Sequence, residues 1–166
     1  MPVERQLALE IRSWKFGYAV LEGENLLDWG VRWFPPGESK IAIRRLTVLL
    51  KVHTPSVVVT RSTRRVNHGS SESAAHVLRT IRDELKRRSI RFVALARRDA
   101  RTFFAQRGCR NKHEVALAVA NRFGQLKPRV PKLRKAWDPE SAIAAVFDAI
   151  ATTMAFAALR QPAIDA

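Results

Sequence analysis

The chain has 166 residues, 46% of them hydrophobic, and a formal net charge of +15. That length suits one domain over residues 1–166 with a real core, and the apolar content excludes a disordered chain. No apolar run is long enough to span a bilayer, and the opening MPVERQLALE lacks the apolar core of a signal peptide, so a cytoplasmic protein without a membrane partner is expected.

The first 35 residues read as strands. Residues 6–12 form a short apolar run holding one acid, Glu10, and residues 15–22 contain Phe16, Tyr18, Val20 and Leu21. After the turn signal Glu22-Gly23-Glu24-Asn25, residues 26–34 alternate Trp29, Val31 and Trp33 against Asp28, Gly30 and Arg32. Two short connections imply an antiparallel meander. Pro35-Pro36-Gly37 ends it, and the spacing over residues 39–53 predicts a helix. Residues 56–60, Ser-Val-Val-Val-Thr, read as a buried parallel strand. A polar loop over 61–71 with Arg61, Arg64 and Arg65 should follow, then a helix over 71–88 and a second buried strand over 90–96. Helices are expected at 98–107 and 112–126, a basic proline-punctuated linker at 127–135, and a last helix at 138–160 with Asp138 as its cap. Three antiparallel strands followed by alternating helix and strand predict a mixed five-stranded α/β sheet flanked by helices.

The charge is unevenly placed. Residues 61–135 hold 21 Lys and Arg against 5 Asp and Glu, a balance of +16, whereas residues 1–60 balance at +2 and residues 136–166 at −3. A basic, arginine-rich segment without a large apolar face argues for nucleic acid rather than a membrane surface. The one cysteine, Cys109, rules out an internal disulfide, and the four histidines are scattered with no zinc spacing.

Two carboxylates stand out. Glu10 sits between Leu9 and Ile11, and Asp148 is the only charge between Ser141 and Leu159. A buried carboxylate must be paired, protonated or bound to a cation. A local Arg, Trp or Thr partner is one reading; a hard-metal site for Mg²⁺ is the other. Arg61, Arg64 and Arg65 follow the fourth strand, at the end where open α/β sheets place ligands, and are candidates for phosphate. Trp14, Trp29, Trp33 and Trp137 are candidates for base stacking, although Trp29 and Trp33 share a strand face and read as core. His68 and His113 read as surface residues.

The opening Leu7-Ala8-Leu9-Glu10-Ile11-Arg12-Ser13 followed by Phe16-Gly17-Tyr18-Ala19-Val20 resembles the first two strands of the RuvC-type Holliday-junction resolvases, in the ribonuclease H-like superfamily. Phe147-Asp148-Ala149-Ile150-Ala151 is similar to that family's C-terminal helix, and Asn111-Lys112-His113-Glu114 to its Lys-bearing helix start. The Leu-Leu-Asp-Trp-Gly stretch at 26–30 is also similar to a group of bacterial resolvase-like proteins. The resemblance implies metal-dependent cleavage of branched DNA, with Glu10 and Asp148 as Mg²⁺ ligands, Lys112 on the scissile phosphate, and a homodimer; Arg110 is a further candidate for nucleic-acid binding. The chain departs from the family at Thr60 and Ala145, where acids are expected, and has Glu10 where Asp is usual. Two carboxylates can hold one Mg²⁺, but two-metal cleavage needs more. Glu140 is no simple substitute, since eight helical residues separate it from Asp148 by about 12 Å. Three readings stay open: a resolvase-like endonuclease with a reduced site, a non-catalytic nucleic-acid-binding pseudo-nuclease, and a YqgF-type RNA-processing nuclease.

Overall fold

A computed structural model describes residues 2–62 and 69–160. Its strands are β1 (Arg5–Ile11), β2 (Lys15–Glu22), β3 (Asn25–Trp33), β4 (Val57–Arg61) and β5 (Arg91–Leu95). Its helices are α1 (Ser39–His53), α2 (Gly69–Arg87), α3 (Arg97–Ala105), α4 (Lys112–Arg122) and α5 (Ala144–Arg160). The five strands form one sheet in the order β3-β2-β1-β4-β5. The first three pair antiparallel, and β4 and β5 continue parallel to β1, as the sequence predicts.

Strand alternation divides the core into two layers. On β1, Leu7, Leu9 and Ile11 face one way and pack with Leu46 and Leu49 of α1 and Val77 and Ile81 of α2. Ala8 faces the other way, toward Val119 of α4 and Val146 and Ile150 of α5. Alternation therefore puts Glu10 on the α5 face, near the C-terminal end of β1. On β4, Val58 joins the α1–α2 layer while Val57 and Val59 pack on Phe156 of α5. Thr60 thus belongs to the α1–α2 face, and Arg61 to the face of Glu10.

α5 lies close on the sheet because β2 offers a glycine beneath it. A Cβ on Gly17 would come within 2.4 Å of the Ala145 carbonyl carbon and 2.6 Å of the Val146 nitrogen. Gly17 is also the cross-strand partner of Glu10. The same contact that seats the start of α5 therefore brings Asp148, one turn further on, over Glu10.

Three boundaries correct the sequence reading. Arg61 closes β4 instead of opening a loop. α4 stops at Arg122, because Phe123 turns extended ahead of Gly124, and a 3₁₀ segment over Gly124–Arg129 replaces its last turn and the start of the linker. α5 starts at Ala144 and not at 138. The Asp138 carboxylate accepts from the backbone N–H of Lys135 at 2.9 Å, closing a turn behind itself instead of capping a helix ahead.

Candidate functional site

The C-terminal ends of β1 and β4, the last strand-to-helix turn after β5, and the starts of α4 and α5 converge on one cluster. Glu10 is 3% exposed at its bottom. Both Arg12 and Arg61 donate to its Oε1. Arg12 is two residues beyond Glu10, so the strand period puts both on one face. Its second terminal nitrogen donates to Asp148 Oδ2 at 2.7 Å, and Arg61 lies 3.7 Å from the same oxygen. Glu10 and Asp148 are therefore close enough for a single guanidinium to join them, and two guanidinium groups do so.

Lys112, the first residue of α4, donates to Asp148 at 3.3 Å and to Glu140 at 2.8 Å. It is placed there by Asn111, whose side chain caps α4 by accepting from Glu114 N–H at 2.9 Å. Glu140 also lies 3.7 Å from Arg12. The rise-per-residue argument against Glu140 fails because residue 140 precedes α5. The chain there is not helical, and it folds back to present a third carboxylate.

The electrostatics follow from burial against pairing. Burial alone would raise Asp148, but Lys112, Arg61 and Arg12 together hold its carboxyl below the ordinary value. Burial likewise pushes Glu140 up, and the Lys112 hydrogen bond and the Arg12 charge bring it below its usual range. Burial would lower Arg12, and Glu10, Asp148 and Glu140 reverse that and raise it. Arg97, opening α3, is lowered by burial first and then by the like charge of Arg61.

Sequence reasoning singled out Glu10, Asp148, Lys112 and Arg61, and the structure brings all four together. It missed Arg12, Arg97 and Glu140. The signal for Arg12 was its i+2 spacing from Glu10, and for Arg97 its position directly after a parallel strand. Arg110 is exposed and pairs with Glu114 at 2.9 Å instead of joining the cluster. Arg64, Arg65 and His68 lie outside the described residues. His113 is half-buried, and its Nδ1 donates to the Pro131 carbonyl at 3.0 Å. Trp33 is no core residue: only Trp29 and Val31 of that strand face pack into the α4–α5 layer. A cavity of about 880 Å³ opens beside Asp148 and Lys112, walled by Pro128, Pro131, Pro139 and Phe147.

With Arg12, Arg61 and Lys112 in place the arrangement does not suit Mg²⁺, although Glu10 Oε2 is buried without a partner among the described residues. A divalent ion needs carboxylate oxygens that it can share with water. Here Glu10 Oε1 and Asp148 Oδ2 both hold guanidinium groups, and Glu140 and Asp148 share the Lys112 ammonium. Three carboxylates face three bonded cations, so a dication would add uncompensated charge. Among the described residues no group of three acidic, His or Cys side chains is disposed to hold a metal. At the two positions where the resemblance leads one to expect acids, the structure makes other contacts. The β4 residue beside Glu10 is Arg61, not Thr60, and Ala145 spends its position on the contact with Gly17.

By sequence, the chain matches no family model and none of the curated proteins. By structure, it superposes on Thermus thermophilus RuvC in complex with Holliday junction substrate, with a TM-score of 0.66 at 19% identity over 92% of both chains. A second Thermus thermophilus RuvC structure gives 0.65 at 20% identity, covering 93% of this chain and 96% of that one. The yeast mitochondrial Holliday junction resolvase Ydc2 gives 0.63 at 13% identity, covering 95% and 82%. The fold is thus the RuvC-type ribonuclease H-like fold over most of the chain. Among the described residues no helix is long and apolar enough to cross a membrane.

Proposed function

We propose that residues 1–166 act as one resolvase-like unit that binds branched or structured DNA across the C-terminal end of the sheet, with the carboxylate centre held by its own arginines. The observation that carries this reading is the charge at that end. Arg12, Arg61, Arg97 and Lys112 surround Glu10, Asp148 and Glu140, leaving a cationic excess where open α/β sheets bind ligands. Phosphate is the ligand that an excess of guanidinium groups selects. The similarity to RuvC bound to a Holliday junction supports branched DNA as the substrate class, and the basic segment 61–135 supplies the surrounding field.

The test is binding of a four-way junction, duplex and structured RNA over a range of salt. Junction affinity should exceed duplex affinity, and should fall with a log–log slope of roughly −0.9 per phosphate neutralised on duplex arms. Equal binding to all three, or no salt dependence, refutes the reading. A homodimer is the assembly that a two-fold junction calls for, and sedimentation of the complex checks it.

The second reading is metal-dependent cleavage, and the closeness of Glu10 and Asp148, joined through Arg12, favours it. If bound phosphates draw Arg12 and Arg61 away, these two carboxylates are left facing one another. Incubation of a four-way junction with Mg²⁺ or Mn²⁺, alongside Glu10→Gln and Asp148→Asn, separates the readings. Under the first reading the junction stays intact. Symmetric nicking lost in both variants establishes the second.

A further inference from the structure

Beside the carboxylate centre, on the far side of β2, two tryptophans stand in solvent. Trp14 is 55% exposed and Trp33 is 52% exposed. With Phe34, Pro35 and Pro36 they line an open slot of about 370 Å³. The slot is rigidly built. Phe34 N–H donates to the Trp14 carbonyl at 2.8 Å, Arg12 N–H donates to the Lys15 carbonyl at 2.8 Å, and Lys15 pairs with Trp33 across the strands. Two consecutive prolines fix the floor. Trp29 and Val31, on the same strand, are covered by the α4–α5 layer, so the exposure of Trp33 is specific to this end.

The surroundings select an occupant. Lys15 Nζ lies over the Trp33 ring, 4.9 Å from its centroid. Arg12, whose side chain belongs to the cluster described above, bonds through its backbone N–H to the Lys15 carbonyl at 2.8 Å, which places the slot next to that cluster. β3 lies two strands from β1, about 10 Å at ordinary sheet spacing, within the reach of a dinucleotide. Exposed aromatic rings lining one slot, one of them with a lysine over it, suit a π system attached to phosphate. The lining itself contains no carboxylate.

We propose that Trp14 and Trp33 form a stacking site for an unpaired nucleobase, with the adjoining phosphate held by Lys15. This rests on the nucleic-acid reading above and adds to it a preference for single-stranded segments next to the branch. Bases are taken by their faces, so the site is tolerant of sequence. Each Trp is more than half exposed, so replacing it leaves the core intact.

The experiment titrates the protein with oligothymidylate and with a blunt duplex, reading intrinsic tryptophan fluorescence and, independently, anisotropy of labelled DNA. Wild type should show quenching by oligothymidylate. Trp14→Ala/Trp33→Ala should bind oligothymidylate at least about tenfold more weakly, with duplex affinity changed less than twofold and an unchanged melting temperature. Trp14→Phe/Trp33→Phe should retain most of the affinity, because a π face remains. Undiminished oligothymidylate binding by the double alanine variant overturns the proposal. So does self-association that the alanine variant abolishes without any change in DNA affinity, which would assign the slot to a protein contact. Failure of wild type to bind either DNA refutes the broader reading, whereas duplex binding without a tryptophan effect refutes the stacking site alone.

Discussion

Glu10→Gln decides by its sign what the carboxylate centre is. In the structure Glu10 is almost fully buried, and one of its oxygens receives both Arg12 and Arg61, whose side chains are 20% and 15% exposed. Removing one partner of a buried pair typically costs about 3–5 kcal/mol. Two features reduce that here. Glutamine keeps an acceptor oxygen, and Asp148 still holds Arg12 at 2.7 Å. A loss of about 1.5–3 kcal/mol is therefore expected, after discounting for the partial exposure of the guanidinium groups. For a chain of this size that corresponds to about 4–10 °C in melting temperature. Acids poised for a metal would behave in the opposite way. Neutralising one of two facing, unpaired carboxylates relieves repulsion and raises stability. The assay is thermal and urea unfolding at pH 7, with and without millimolar Mg²⁺. An ion that binds only the folded state at free concentration c raises stability by RT ln(1 + c/Kd), so an arginine-held centre should show no Mg²⁺ effect. A stabilised Glu10→Gln, or a wild type whose melting temperature climbs with Mg²⁺, refutes the reasoning.

Gly17→Ala should destabilise the fold by about 1–3 kcal/mol, the usual cost of overpacking, because the added carbon meets the α5 backbone; urea unfolding measures it. Asp148 and Glu140 are both held below their ordinary pKa values, so the stability they contribute is present at neutral pH. It is lost as pH falls below the ordinary carboxylate range near 4 and on through the folded-state values. Asp148→Asn should flatten that acid limb of the stability curve. The single tyrosine, Tyr18, is raised above its ordinary value by burial and then by Asp28, which accepts its hydroxyl at 3.1 Å. Its ultraviolet titration should therefore midpoint above 10 and move down in Asp28→Asn.

The sheet was legible because each of its segments carries a two-residue period or a run of β-branched residues, and both signals survive in a single sequence. The fold class followed from the order of those segments. The carboxylates were legible for the same reason: Glu10 and Asp148 interrupt apolar surroundings that would otherwise have no use for a charge. What hid their partners was a one-residue question of facing. Reading β4 as ending at Thr60 left Arg61 in a loop. Extending it by one residue turns Arg61 onto the face of Glu10, since successive strand residues point to opposite sides. Glu140 was hidden by the reverse error, an assumed helix where Asp138 bonds backward to Lys135.

The fold and its centre therefore carry separate information. The backbone geometry that seats α5 on Gly17 and brings residue 148 over residue 10 holds whatever charge the side chains carry. On that scaffold the residue that ends β4 sets the sign of the centre. An acid on that face would leave carboxylates clustered around a vacancy that only a cation from solvent could neutralise. An arginine there fills the vacancy with a cation covalently tied to the chain, and Arg12 supplies a second from two residues beyond Glu10. A tied cation cannot supply an ionised water to attack phosphorus as a bound metal does, but it can hold a phosphate by hydrogen bonds in fixed directions. The same exchange of acid for base that removes a metal ligand adds a phosphate ligand. Under the proposed function, such a centre favours phosphate binding over metal-dependent cleavage.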